Sequence, residues 1–245
     1  MRAIRRRKAP LWATLLTASA AALQIALSAT QPAPMARASA LPPAPAGALL
    51  AWLETFDRLP AAHMMMLYLQ AFDNQPGVSI PYLDLDYQRV AQWLLAALRL
   101  DPKSQYPLLM ASQLYAQVPD PARQRFMLEF VYEQYLEDPE RRWPWLAHGA
   151  IMAKHRLKDL PLALEFARAI ARHSPNAPAW ARQMHIFLLE DLGEYESARI
   201  LLGGLLASGV VTDRHEQLLL QERLQQLEAA EKSAAPTNPQ RGPAP

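Results

Sequence analysis

The stretch "KDLPLALEFARAIARHSPN" (Lys158–Asn176) decides how this chain is read, because "GEYESARILLGGLLASG" (Gly193–Gly209) follows the same pattern 35 positions later. The two segments share little identity. A shift of 35 nevertheless places Trp145 on Trp180, Ile151 on Ile186 and Leu157 on Leu192. The same shift places Lys158 on Gly193, Asp159 on Glu194, Leu160 on Tyr195 and Ala163 on Ala198. Leu160, Ala163, Leu164, Ala167, Ile170 and Ala171 fall at intervals of three and four, which is one apolar stripe of a helix. Each unit therefore reads as a helical hairpin. A single hairpin cannot cover its own stripe, so neighbouring units must stack.

Working outward, "DYQRVAQWLLAALRLDP" (Asp86–Pro102) and "QRFMLEFVYEQYLEDP" (Gln124–Pro139) are two more helices, each running into Asp-Pro. The prolines Pro102, Pro139 and Pro175 stand 37 and 36 apart. Predicted helices cover 47–58, 61–72, 84–100, 104–117, 120–137, 144–156, 159–173, 177–191, 194–208 and 213–231. Asp120-Pro121 is a helix start, an N-cap with Pro at the first helical position, and Gly209 is a stop. "DNQPGVSIPY" (Asp73–Tyr82) holds two prolines and a glycine and breaks the helical pattern.

These units resemble the tetratricopeptide repeat, whose pattern is Trp-x2-Leu-Gly-x2-Tyr, then Ala-x3-Phe, then Pro. Trp145 and Gly149 match its first part, with Met152 in the Tyr place; Trp180 matches again, with Met184 for Gly and Phe187 for Tyr. Gly193–Ala198 looks like the family's turn into its second helix, Lys158–Ala163 is a variant of it, and Pro175 is the closing Pro. The match covers about residues 60–210, with departures. Units run 35–37 residues, and Ala167 and Leu202 stand where an aromatic is expected. An unrelated helical solenoid remains the alternative. The 35-residue spacing also suggests pentatricopeptide repeats, which read RNA, but the charge balance opposes that.

The resemblance implies an all-α, right-handed α-solenoid of stacked antiparallel hairpins over residues 47–232. In this family the first helix of each hairpin lines the concave face. That register points Leu146, Ala150 and Lys154 into a partner-binding groove, then Ala181, His185 and Leu189 in the next unit, and Ala111 and Tyr115 in the preceding one. It also makes Trp145 a core residue. The last helix, "DRHEQLLLQERLQQLEAAEK", reads as a cap, with Leu219 and Leu220 as its expected contacts.

The ends are different. "MRAIRRRK" precedes 22 uncharged residues, Ala9–Thr30, a basic start and apolar run that mark export. Residues 1–30 are a signal peptide or a membrane anchor, and both readings stay open. Residues 31–46 are a Pro/Ala-rich linker and 233–245 a disordered tail by composition. The expected location is extracytoplasmic, a bacterial periplasm, with membrane contact only through residues 9–30 if uncleaved. Six of the 25 basic residues precede Gly47 and all 23 acidic ones follow it, so the folded part carries −4. That opposes a nucleic-acid surface.

No cysteine is present, which excludes disulfides and thiolate metal sites. His148 and His155, seven apart, can share a helix face, but no third ligand is evident and no His-Glu-x-x-His spacing exists. "HMMML" (His63–Leu67) reads as core filling. Trp143, in "ERRWPWL", is either a binding hot spot or part of a capped turn. No catalytic, cofactor or metal residue is singled out. The expectation is a non-enzymatic protein-binding scaffold for an unknown protein or envelope complex. The alternative is a helical envelope enzyme or accessory domain acting on cell-wall glycan, which needs a placed carboxylic acid.

Overall fold

The computed structural model describes residues 11–30, 38–209 and 211–234. The linker positions 31–37 and the tail from 235 lie outside the described residues. The chain is mostly helical and divides into two units, one containing residues 11–30 and 74–79, the other containing 39–73 and everything from Ile80 onward.

In the first unit, α1 spans Leu11–Thr30. It has 20 residues, an 18-residue stretch of it has a mean hydropathy of 1.5, and none of its side chains is buried. A helix of that length rises about 30 Å, enough by length and composition to cross a bilayer, as a signal sequence also is. The interruption after Asp73 is a two-residue hairpin: β1 (Asn74–Gln75) pairs antiparallel with β2 (Val78–Ser79). Pro76 and Gly77 form its turn, with Gly77 at φ 76°.

The second unit contains α2 (Ala48–Phe56), α3 (Arg58–Ala71), α4 (Tyr87–Leu100), α5 (Tyr106–Gln113), α6 (Pro121–Glu137), α7 (Pro139–Met152), α8 (Leu160–His173), α9 (Ala179–Asp191), α10 (Tyr195–Ala207) and α11 (Arg214–Ala234). Aspartate side chains cap four of these helices. Asp86 accepts from the amides of Gln88 and Arg89 at 3.0 and 3.2 Å. Asp120, Asp159 and Asp213 each accept from the amide three residues on, at 3.0, 2.9 and 2.8 Å. Each oxygen satisfies amides that the helix cannot reach internally.

Several boundaries differ from expectation, and α3 begins at Arg58 rather than 61. α4 begins at Tyr87 rather than 84, because Asp86 caps it and Tyr82–Asp84 forms a 3-10 turn. α5 stops at Gln113 and continues as a 3-10 turn over Tyr115–Gln117. α7 begins at Pro139 rather than 144. Proline is favourable at a first helical position, and Pro144 is accommodated inside the helix. Beyond Met152 the helix widens into a π turn, Ala153–Leu157, and ends at Lys158 in the left-handed region.

Successive helices pack on one another, most extensively α7 on α8 and α8 on α9. The core is one cluster built from the inward stripes: Leu94 and Ala97 of α4, Leu128 and Val131 of α6, Phe166 and Ile170 of α8. Ala163 and Ala198 are both fully buried, as small residues at a close helix crossing should be.

Side-chain links recur between residues 33 to 40 apart. Trp145 donates to Gln105 Oε1 at 2.5 Å. The Trp143 and Trp180 rings meet edge-on, centroids 5.6 Å apart. Gln183 donates to Glu216 at 3.0 Å, and Arg223 pairs with Glu190 at 2.6 Å. On the other helices, Arg125 pairs with Asp159, and Tyr132 lies 5.2 Å from Phe166. The buried Tyr135 hydroxyl joins Ser174 Oγ at 2.8 Å and donates to the Ala169 carbonyl at 3.1 Å.

Part of the linker is ordered. Ser39–Ala46 runs without helix or strand structure beside α4, with Leu41 buried. Arg89 Nη1 donates to the Leu41 carbonyl and Trp93 Nε1 to the Pro42 carbonyl, the latter at 2.9 Å. The Pro/Ala-rich composition gives no sign of these contacts: two side-chain donors and one buried leucine seat residues 39–46 against α4.

Candidate functional site

The expected groove residues separate into two groups. Ala111, Tyr115, Leu146, Ala150, Ala181 and Leu189 are buried, none exposed above 2%. They hold the helices together and offer no surface to a partner. A helix turns by about 100° per residue, and the assigned positions fall where neighbouring helices cover them rather than on the open side. Lys154 and His185 keep partial exposure. Lys154 is committed to an ion pair with Asp191, which ties the end of α7 to the end of α9.

His185 lines a cleft of about 600 Å³ between α9, α10 and the chain entering α11. Apolar side chains form most of its wall: Ile186 and Leu205 inside, Val211 at the α11 end, Ile200 and Leu201 at the rim. Ile200 is 58% and Leu201 41% exposed. The cause is visible in the sequence of α10. "ILLGGLL" (Ile200–Leu206) has no polar side chain, so a helix cannot turn all of it inward.

The polar edge of the cleft is organised by α9 and α11. Gln183 is held by Glu216, and Asp213 is occupied as the α11 cap. His185 Nδ1 lies 2.7 Å from the Arg182 carbonyl, which can only accept, so Nδ1 carries the proton and Nε2 is left as an acceptor. Burial lowers the His185 pKa, the Arg182 carbonyl opposes that, and the charge of Arg168 lowers it further. The ring is therefore neutral near pH 7. An apolar cleft of this size with a few convergent polar groups is the usual form of a binding site.

Other singled-out residues take structural places. Trp145, expected in the core, is half-buried and bonded to Gln105. Trp143 contacts Trp180, itself 55% exposed. His148 and His155 share no ligand cluster: among the described residues no group of three His, Asp or Glu could hold a metal. His148 Nδ1 and the Tyr115 hydroxyl are buried, with no hydrogen-bond partner among the described residues. Sequence reasoning missed Ile200, Leu201 and Val211, because it looked for the site on first helices only.

Comparison of the chain with protein-family models, curated proteins and solved structures finds no match.

Proposed function

We propose that this chain is a tetratricopeptide-like array, exported or anchored outside the cytoplasmic membrane, that binds another protein. Two sets of observations support the reading. Side-chain links recur between residues 33 to 40 apart, as stacked units of about 35 residues require. The apolar cleft beside His185 carries the binding role, because its rim leaves Ile200 and Leu201 exposed. The occupant that suits it is a short apolar segment of a partner, with a donor for His185 Nε2. α1 is compatible with export or tethering by its length and hydropathy.

Photo-crosslinking in the native cell tests this. Crosslinkable residues at His185 and Ile200 should capture one protein, and the same residues at Leu136 and Ile151, each 46% exposed, should not. Capture at the controls alone, or no capture at His185 and Ile200 in a folded chain, overturns the proposal. An export-dependent reporter fused after Ala234 tests location separately, and activity only in the cytoplasm would end that part.

A further inference from the structure

The linker segment beside α4 is held through its backbone, as a ligand would be. Pro42, Pro43 and Pro45 fix their own φ, and Leu41, Pro42 and Ala44 each precede a proline and are driven into the extended region. The segment is thereby biased to a polyproline II helix, which makes no internal hydrogen bonds and leaves its carbonyls free. Arg89 and Trp93 are four residues apart and so share a face of α4. They donate to two consecutive carbonyls, those of Leu41 and Pro42. Leu41 adds a side-chain anchor, 3% exposed.

The receiving side is braced independently of its ligand. Tyr68 of α3 stacks on the Trp93 indole, centroids 4.8 Å apart and planes at 28°. Asp86 sits 3.4 Å from Arg89 Nε. The segment ends at Gly47, whose φ of 58° lies in the left-handed region and whose Cα has open space around it. Gly47 can act as a hinge there, letting residues 41–46 lift from α4. Aromatic and side-chain donors aimed at a proline-rich backbone are the recognition mode of polyproline-binding domains.

We propose that the α4 face around Arg89 and Trp93 is a docking site for a polyproline II segment, filled in cis by residues 41–46 and taken over by a proline-rich segment of a partner protein. The cis segment acts as a competitor at an effective concentration in the millimolar range. A free peptide therefore binds the wild-type chain poorly. It binds well once the cis segment is weakened.

The test uses the full-length protein and a fluorescent peptide of the sequence Ser39–Ala46, read by anisotropy. Leu41→Ser removes the cis anchor and leaves the receiving face intact. The peptide should bind this variant at least about tenfold more tightly than wild type. Adding Trp93→Phe, which keeps a ring against Tyr68 but removes the donor, should abolish the gain. A peptide with its three prolines replaced by alanine should not bind the Leu41→Ser chain, a second arm that does not depend on the stability of the Trp93 variant. Limited proteolysis reports whether the segment has lifted. Equal affinity for both chains with the segment lifted, a segment still protected in Leu41→Ser, or equal binding of the alanine peptide would each overturn the proposal.

Discussion

Lys158 and Gly193 stand 35 residues apart and share the left-handed backbone region, with φ of 57° and 77°. Lys158 turns the chain from the end of α7 into α8, and Gly193 turns it from α9 into α10. Glycine adopts that conformation freely, whereas a residue with a Cβ pays about 1–2 kcal/mol. Lys158→Gly should therefore raise stability by about 0.5–1 kcal/mol, less than the full penalty because glycine also gains freedom when unfolded. Gly193→Ala should lower it by about 1 kcal/mol, with no clash, since a Cβ there meets nothing within 4 Å. Chemical denaturation of both variants checks the pair. Equal, opposite-signed results from the exchanged residues would confirm one turn used twice.

Small residues divide into two kinds. Ala198 is fully buried where α10 meets its neighbours, so Ala198→Leu should overpack and cost roughly 1–3 kcal/mol. Gly149 is buried, yet a Cβ there would sit 3.6 Å from Leu128 and Phe166, ordinary contact. Gly149→Ala should thus be tolerated and gain about 0.5–1 kcal/mol of helix stability. Thermal melts of the two variants should move in opposite directions.

The C-terminal helix covers the end of the unit with Leu220 and Leu227, which are buried, while Leu218 and Leu219 are more than half exposed. This corrects the expectation that Leu219 is a contact. Leu220→Ala should cost about 2 kcal/mol or more, as buried leucines do, and Leu219→Ser close to nothing. Cutting after Gly209 should make the protein associate, read by light scattering. An unchanged monomer with an unchanged melt would show that α11 covers nothing of importance.

Acid should loosen the fold through two histidines. Burial lowers the pKa of His148 and of His185, so the folded chain favours their neutral forms. Their contribution is fully present above the ordinary value of about 6.5 and is lost as pH falls through it toward the lowered folded values. The melting temperature should drop between pH 7.5 and 5.5. His148→Gln and His185→Gln should each reduce that drop, and an unreduced drop in both would clear the imidazoles.

The helical plan was legible because α4, α6 and α8 advertise themselves: an aspartate at the start, a stripe at intervals of three and four, and a proline after the end. α7 was only half legible, since Pro139 and Pro144 argue against a helix unless the first sits at its opening position. The groove was misread for a different reason. Leu146 and Ala150 lie on α7 and Ala181 and Leu189 on α9, but a pattern of apolar residues does not say which neighbouring helix covers them. The cleft beside His185 depends on how α11 crosses α10, a contact between segments that share no local signal. The order in residues 39–46 was hidden because composition describes a segment alone, without the arginine and tryptophan waiting on α4.

That seated segment also sets a length. From Thr30 to Leu41 the chain takes eleven residue steps, which reach at most roughly 40 Å when fully extended. If the segment lifts as far as Gly47, seventeen steps reach at most roughly 60 Å. The contact between Trp93 and the Pro42 carbonyl is thus a clasp on the connection: seated, it leaves eleven free steps after Thr30; released, it leaves seventeen, about half as many again.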